Sequence, residues 1–318
     1  MKKMSAPQMS DAELVAGIKR MKQEKDIVVL AHFYVQDDIQ DVADYIGDSY
    51  QLAKLATTTP QQTVCFCGVN FMGESAKILS PDKKIIMPDI NAGCPMADMI
   101  SSDEIERVKA QYDDLAVVAY VNTTAETKAH SDVCVTSSNC LQIVRSLPQK
   151  NIYFIPDVNL GSYIKSQLPE KNVILHDGFC CVHHKIRVAA VQEMIAAHPD
   201  YKILVHPEAQ AEVVALGNVV GSTKVLLDEV KKNDAPGYIV CTEVGILHQM
   251  KKAAPGKEFL VPTRTQTCRS MKRNTLQKLY DAMHTLTPEI KMDEELMQQA
   301  LRPLEKMMEL AESKVSTL

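Results

Sequence analysis

The stretch Asp177-Gly178-Phe179-Cys180-Cys181-Val182-His183-His184 decides how the rest of this chain is read. Its cysteine pair follows a glycine and, before that, the apolar run Val173-Ile174-Leu175. The arrangement recurs on either side. Lys84-Ile85-Ile86-Met87-Pro88 runs down to Cys94, and Lys257-Glu258-Phe259-Leu260-Val261-Pro262 runs down to Cys268. Cys94 and Cys180 are 86 residues apart and Cys180 and Cys268 are 88 apart (180−94, 268−180). A period this regular points to internal repeats.

Working outward, three segments lie over one another. They begin Val28-Val29-Leu30-Ala31-His32, Val117-Val118-Ala119-Tyr120 and Ile203-Leu204-Val205-His206. In each, the residue at the strand end stands 17 positions before a hydroxyl residue: Ser49, Ser137 or Thr223 (49−32, 137−120, 223−206). A second apolar run follows, represented by Thr63-Val64-Cys65-Phe66-Cys67, Asn151-Ile152-Tyr153-Phe154-Ile155 and Gly237-Tyr238-Ile239-Val240-Cys241. Next come Gly73, Gly161 or Gly245 at the opening of a helical pattern, and then the third run with its cysteine. Near-continuous apolar strands alternating with helices predict parallel βαβ units covered on both faces. The fold class is therefore α/β, with three homologous lobes over 26–112, 113–200 and 201–285, which could sit around a pseudo-threefold axis. A helix over 1–25, opening at Ser10 or Asp11 with Leu14, Val15, Ile18 and Met21 on one face, flanks them at the N-terminus. Residues 286–318 are expected to be helical, starting with Thr287 as cap and Pro288 at the first helical position, with Pro303 dividing two pieces.

Length and composition narrow the class further. The chain has 318 residues, is 46% hydrophobic and carries a net charge of −5 with both signs mixed along it. This predicts a large core and argues against nucleic acid as a partner, which would call for a basic footprint. The start, Met1-Lys2-Lys3-Met4-Ser5-Ala6-Pro7, has no apolar core and is not a secretory signal. No apolar run is long enough to span a bilayer. A cytoplasmic protein with no membrane partner is expected. There the nine cysteines read as thiols, metal ligands or core residues, not as a disulfide framework.

Three cysteines at equivalent ends of three repeats converge if the lobes share an axis, and convergent thiolates hold soft metals such as zinc or an iron–sulfur cluster. Three ligands leave one metal position open, the mark of a catalytic site. The competing reading, ordinary buried cysteines, suits Cys65 and Cys67 within a strand pattern, and Cys134 and Cys140. Cys180 and Cys181 compete for one ligand role, and spacing alone leans to Cys181, which makes both intervals 87 (181−94, 268−181). Ser49, Ser137 and Thr223 stand where helices should begin. Each alone reads as a cap, but together they could form an anion site for phosphate or carboxylate. His32, Tyr34, Tyr120, Asn122, His206 and Glu208 occupy matching strand ends, and a histidine and carboxylate two residues apart face one way, as acid–base work requires. Thr242-Glu243 is a weaker candidate of the same kind. No nucleotide loop fingerprint is present.

These residues resemble the quinolinate synthase family over essentially the whole chain. The resemblance is carried by Ala31-His32-Phe33-Tyr34, Gly47-Asp48-Ser49 with Gln51-Leu52-Ala53, Gly93-Cys94-Pro95-Met96-Ala97, Tyr120-Val121-Asn122-Thr123, His206-Pro207-Glu208, Gly221-Ser222-Thr223, and Cys268 with Met271-Lys272. It implies a three-lobed enzyme of NAD biosynthesis with a [4Fe–4S] cluster held by Cys94, Cys180 and Cys268, its fourth iron open as a Lewis acid. The family's G-x-C-x-V-H pattern, matched by residues 178–183, selects Cys180 over Cys181. The implied reaction condenses iminoaspartate with dihydroxyacetone phosphate to quinolinate, losing phosphate and two waters. Glu208, His206, Tyr120 and His32 would then move protons, Tyr34 and Asn122 would position substrate, and Ser49, Ser137 and Thr223 would hold phosphate or carboxylate. Iminoaspartate is unstable, so a transient partner enzyme that oxidises aspartate is an expected supplier. Two other classes stand beside this reading: a zinc–thiolate enzyme on a small phosphorylated substrate, and a non-catalytic iron–sulfur sensor.

Overall fold

A computed structural model describes residues 9–232 and 235–313. The stretch read as lacking a secretory signal therefore lies outside the described residues, as does the end of the C-terminal segment. Twelve strands form three four-stranded sheets. The first holds β1 (Ile27–His32), β2 (Tyr45–Gly47), β3 (Thr63–Cys67) and β4 (Lys84–Ile86). The second holds β5 (Leu115–Tyr120), β6 (Val133–Val135), β7 (Asn151–Ile155) and β8 (Asn172–Leu175). The third holds β9 (Lys202–Val205), β10 (Val219–Val220), β11 (Gly237–Cys241) and β12 (Glu258–Leu260). Strand order is the same in each, β2-β1-β3-β4, β6-β5-β7-β8 and β10-β9-β11-β12, and every pair within the sheets is parallel. All six residues of β1 and the last five of β5 are buried, as the apolar runs require of parallel strands covered on both faces.

The repetition extends to side-chain hydrogen bonds. An Asx residue ahead of each short edge strand accepts from a backbone N–H inside the first strand of its lobe. Val29 N donates to Asp44 Oδ2 at 2.8 Å, Val117 N to Asp132 Oδ2 at 2.7 Å, and Ile203 N to Asn218 Oδ1 at 2.8 Å. The N–H groups of the same three Asx residues return to the carbonyls of Val29, Val117 and Ile203 at 2.9–3.0 Å. This pairing docks β2, β6 and β10, which are only three, three and two residues long. The sequence pattern does not announce these three short strands.

The N-terminal helix Asp11–Glu24 starts as expected, with Ser10 in a reciprocal capping box with Glu13. It packs on the helix Leu276–Thr285, where the Tyr280 ring lies against Gly17 so closely that an added Cβ would sit 2.5 Å from it.

The C-terminal segment corrects two expectations. No helix begins at Thr287–Pro288. Residues 288–290 instead run extended beside β4, with Met87 N donating to Pro288 O at 3.1 Å and Ile290 N to Ile85 O at 2.8 Å. Asp293 supplies the cap that Thr287 was expected to give, and its carboxylate accepts from Leu296 N. Nor does Pro303 divide the helix, which runs unbroken over Glu294–Glu312. A proline within a helix costs about 3 kcal/mol. Ala300, Pro303, Leu304 and Met307 are all buried on one face, and a buried leucine or methionine alone contributes about 1.5–3 kcal/mol, so burial outweighs the missing bond. That face lies against helices Asn70–Leu79 and Ala125–Ala129 and strand β6, joining the first lobe to the second.

Candidate active site

One cavity receives the ends of all three sheets. Its lining includes Cys94, Cys180 and Cys268, together with His32, Tyr34, Ser49, Tyr120, Asn122, Ser137, His206, Glu208 and Thr223. All twelve residues singled out from the sequence thus meet in one place. Cys65, Cys67, Cys134, Cys140 and Cys241 are buried elsewhere in strands and helices.

A repeated backbone contact positions the cysteines. Asn70 N donates to Ala92 O at 2.8 Å, Val158 N to Gly178 O at 2.7 Å, and Val244 N to Gln266 O at 2.8 Å. The accepting carbonyl stands two residues before Cys94, Cys180 and Cys268 in turn (94−92, 180−178, 268−266). This register makes Cys180 the counterpart of the other two, against the lean of the raw spacing, although Cys181 lines the cavity as well. Gly178 is required at its place, because a Cβ there would lie 2.5 Å from the Pro156 carbonyl oxygen.

The hydroxyl residues depart from the capping expectation. Asp48, not Ser49, caps the helix Ser49–Thr58, its carboxylate accepting from Gln51 N at 3.0 Å. Ser137 precedes the helix Cys140–Ser146 by a turn in which Asn139 Oδ1 accepts from Thr136 N at 2.7 Å. Thr223 does begin a helix, Thr223–Lys232, and its hydroxyl lies 2.7 Å from Tyr34 OH. The loops carrying the strand-end residues are clamped from equivalent positions, eight residues past His32 and Tyr120. Gln40 Nε2 donates to the carbonyls of Phe33, Val35 and Gly245, while buried Lys128 Nζ donates to those of Val121 and Thr123.

At the centre is a polar group drawn from the second and third lobes. His183 Nδ1 lies 2.7 Å from Glu208 Oε2 and 3.2 Å from Cys180 Sγ. Tyr120 OH donates to Glu208 Oε1 at 2.5 Å. On its far side His183 Nε2 meets Thr242 Oγ1 at 2.9 Å, and Thr242 Oγ1 meets Tyr34 OH at 2.8 Å. Burial alone would raise the Glu208 pKa, but His183, His206 and the Tyr120 hydroxyl outweigh it and hold the carboxyl well below its usual range. The same charge, together with burial as the larger cause, pushes the Tyr120 and Tyr34 phenols well up.

Burial lowers both His32 and His206 to about 3, so both are neutral near pH 7. Their tautomers follow from the backbone. Tyr34 N donates to His32 Nδ1 at 3.1 Å and Glu208 N to His206 Nδ1 at 3.3 Å, which leaves the proton on Nε2 in each ring. His206 Nε2 faces Ser137 Oγ at 3.2 Å.

Burial raises the Cys94 thiol to about 12 and the Cys268 thiol to about 11, and it pushes the Cys180 thiol well up, with Glu208 adding to it. A metal binding there would have to displace protons. Two atoms on the cavity-lining residues, Asp48 Oδ2 and Asn122 Oδ1, are buried without a hydrogen-bond partner. Sequence reasoning gave no role to His183, although it quoted the residue within the motif, and none to Asp48 within Gly-Asp-Ser. Both were legible only as neighbours of stronger signals.

Three parallel sheets opening on a cavity with three thiols, neutral imidazoles and a buried carboxylate define an α/β enzyme whose donor set is compatible with an iron–sulfur cofactor. The family described as quinolinate synthetase A protein matches residues 16–309. The quinolinate synthase of Fusobacterium nucleatum is 46% identical over 294 residues, covering 92% of this chain and 98% of its own length. That of Caldicellulosiruptor bescii is 44% identical over 293 residues (92% and 97%), and that of Clostridioides difficile 44% over 302 residues (95% and 99%). The chain belongs to the quinolinate synthase family and is an enzyme of NAD biosynthesis. No helix among the described residues is long and apolar enough to cross a membrane.

Proposed function

We propose that the chain condenses iminoaspartate with dihydroxyacetone phosphate to quinolinate, at a [4Fe–4S] cluster held by Cys94, Cys180 and Cys268. The observation that carries this reading is that the three register-matched thiols share one cavity with all nine of the other residues the reaction calls for. The bound cluster would supply a Lewis acid at its open iron for a hydroxyl or carboxylate oxygen. The protein's own groups divide the remaining work. Glu208, ionised and wedged between His183 and Tyr120, is the proton acceptor for isomerisation and imine formation. His32 and His206 present Nε2–H and so donate hydrogen bonds to developing oxyanions, a different task from the proton exchange first expected of them. The hydroxyls of Ser49, Ser137 and Thr223 accommodate phosphate or carboxylate, and the free Asn122 Oδ1 accepts a hydrogen bond from substrate. Iminoaspartate would come from a transient partner enzyme that oxidises aspartate.

A zinc enzyme has one observation in its favour: ligand atoms of Cys180, His183 and Glu208 all lie within 4.8 Å of one another. Metal and sulfide analysis of anaerobically purified protein, with its visible spectrum, separates the two. The deciding assay measures quinolinate from both substrates for the parent, Cys180→Ser and Cys181→Ser proteins. Loss of cluster and product in Cys180→Ser but not in Cys181→Ser is expected. The reverse pattern refutes the ligand assignment, and a zinc-loaded active parent refutes the cluster.

A further inference from the structure

Two buried carboxylates stand behind the cysteines and have no part in the chemistry above. Asp157 and Glu243 occupy the same place in the second and third lobes, two residues past the ends of β7 and β11, and both are fully buried. Asp157 Oδ1 accepts from Leu160 N at 2.8 Å, at the start of the helix Val158–Gln167, and its Oδ2 accepts from Cys180 N at 3.0 Å. Glu243 Oε2 accepts from Gly245 N at 2.6 Å, at the start of the helix Ile246–Ala253, and its Oε1 accepts from Cys268 N at 2.9 Å. Lys272 Nζ approaches that same Oε1 at 3.3 Å and donates to the Tyr34 carbonyl at 2.8 Å, tying the third-lobe arm to the first lobe. The matching position in the first lobe, two residues past β3, is Val69, whose side chain offers no acceptor. Beside Cys94 the space is also open: a Cβ added at Gly93 would meet nothing within 4 Å.

We propose that Asp157 and Glu243 are positioning residues for the cluster ligands, each joining a cysteine's own backbone N–H to a helix start so that two of the three thiol donors are fixed in advance and Cys94 is the adjustable one. The inference rests on the three-cysteine reading above. Its physical basis is that both carboxylates sit where water cannot substitute for them. An amide in place of either turns an NH₂ group toward one of the two N–H donors and leaves that donor unpaired. Groups holding first-layer ligands typically change metal retention by roughly 10- to 100-fold when replaced.

The test uses Asp157→Asn and Glu243→Gln in the full chain, with Asp132→Asn as control, since Asn218 fills that place in the third lobe. Iron and sulfide per chain, the visible spectrum and the rate at which a chelator strips iron would be measured anaerobically, alongside melting of the cluster-free chains. Iron loss roughly 10- to 100-fold faster is expected for the two test variants, with no change for Asp132→Asn and little shift in cluster-free melting. Iron loss no faster than the parent overturns the proposal. So does failure of either test variant to fold without cluster, because that assigns the carboxylate to the fold alone. Cys180→Ser distinguishes the layers of the reading: full iron in that variant refutes the ligand set itself.

Discussion

Replacing Glu208 with Gln isolates the charge at the centre of the site while keeping its shape. The carboxylate now accepts from Tyr120 OH at 2.5 Å and faces His183 Nδ1 at 2.7 Å. A glutamine oxygen can keep the Tyr120 bond, but its NH₂ then faces His183 Nδ1, which must give up its proton to accept. His183 changes tautomer, and its Nε2 becomes the donor toward Thr242 Oγ1, now 2.9 Å away. The hydrogen-bonded chain survives, yet no member of the central pair can take a proton from substrate. Loss of a positioned general base typically costs about 10²- to 10⁴-fold in rate. At about 1.36 kcal/mol per tenfold, that raises the barrier by about 2.7–5.4 kcal/mol. The assay is quinolinate formation from both substrates under anaerobic conditions, with iron and sulfide measured on the same samples. A fall in kcat of this size at unchanged cluster content is the expected result. Full turnover by Glu208→Gln with an intact cluster refutes the acid–base assignment.

Two further outcomes follow from the same geometry. His32 and His206 have folded pKa values near 3, depressed below the ordinary 6.5, so the unfolded chain binds more protons between those limits. Stability from these rings is fully present above pH 6.5 and is lost as pH falls toward 3, by about 1.4 kcal/mol per pH unit for each. Urea melts of cluster-free protein between pH 7 and 5 should show this slope, and His206→Gln should reduce it; a flat profile contradicts the buried neutral imidazoles. Gly161→Ala places a Cβ 2.6 Å from Leu175 Cδ2 and 2.9 Å from Phe154 Cδ1. Overpacking of about 1–3 kcal/mol should exceed the helix gain of about 0.5–1 kcal/mol, lowering the melting temperature.

How much the sequence revealed depends on the range of the signal. The strands other than β2, β6 and β10 announced themselves through apolar runs at a fixed period, and the cysteines and strand-end polar residues came with them. Strands β2, β6 and β10 did not, because two or three residues cannot display a period of two, and no apolar run leading down to a repeated cysteine marked them as it did the equally short β4 and β12. Their signal lay in Asp44, Asp132 and Asn218, each five residues before its lobe's hydroxyl residue. The C-terminal segment misled for another reason: Thr287-Pro288 has the local chemistry of a helix start, but pairing with β4 claims those residues first. Pro303 likewise lost to burial across two lobes. The choice of Cys180 over Cys181 came from the family pattern over 178–183, and the structure adds to it the repeated backbone anchor two residues upstream of Cys94, Cys180 and Cys268. His183 could not be ranked from sequence, since its role depends on reaching Glu208 in another lobe.

The repetition fixes positions, and much of the chemistry lies in what fills them. What recurs three times is frame: strand order, the Asx bonds to the first strand, and the backbone anchor before each cysteine. What differs between lobes is the reacting surface. The first supplies His32 and Tyr34, the second Tyr120 and His183, and the third His206, Glu208 and Thr242. Every hydrogen bond of the chain Tyr34–Thr242–His183–Glu208–Tyr120 crosses between lobes, the first joining the first lobe to the third and the other three joining the second to the third. A single lobe therefore holds no complete site, and any displacement of one sheet breaks the chain as well as the thiol triangle. Placement of the sheets is thus a condition for the proposed acid–base group and for the proposed metal ligands alike.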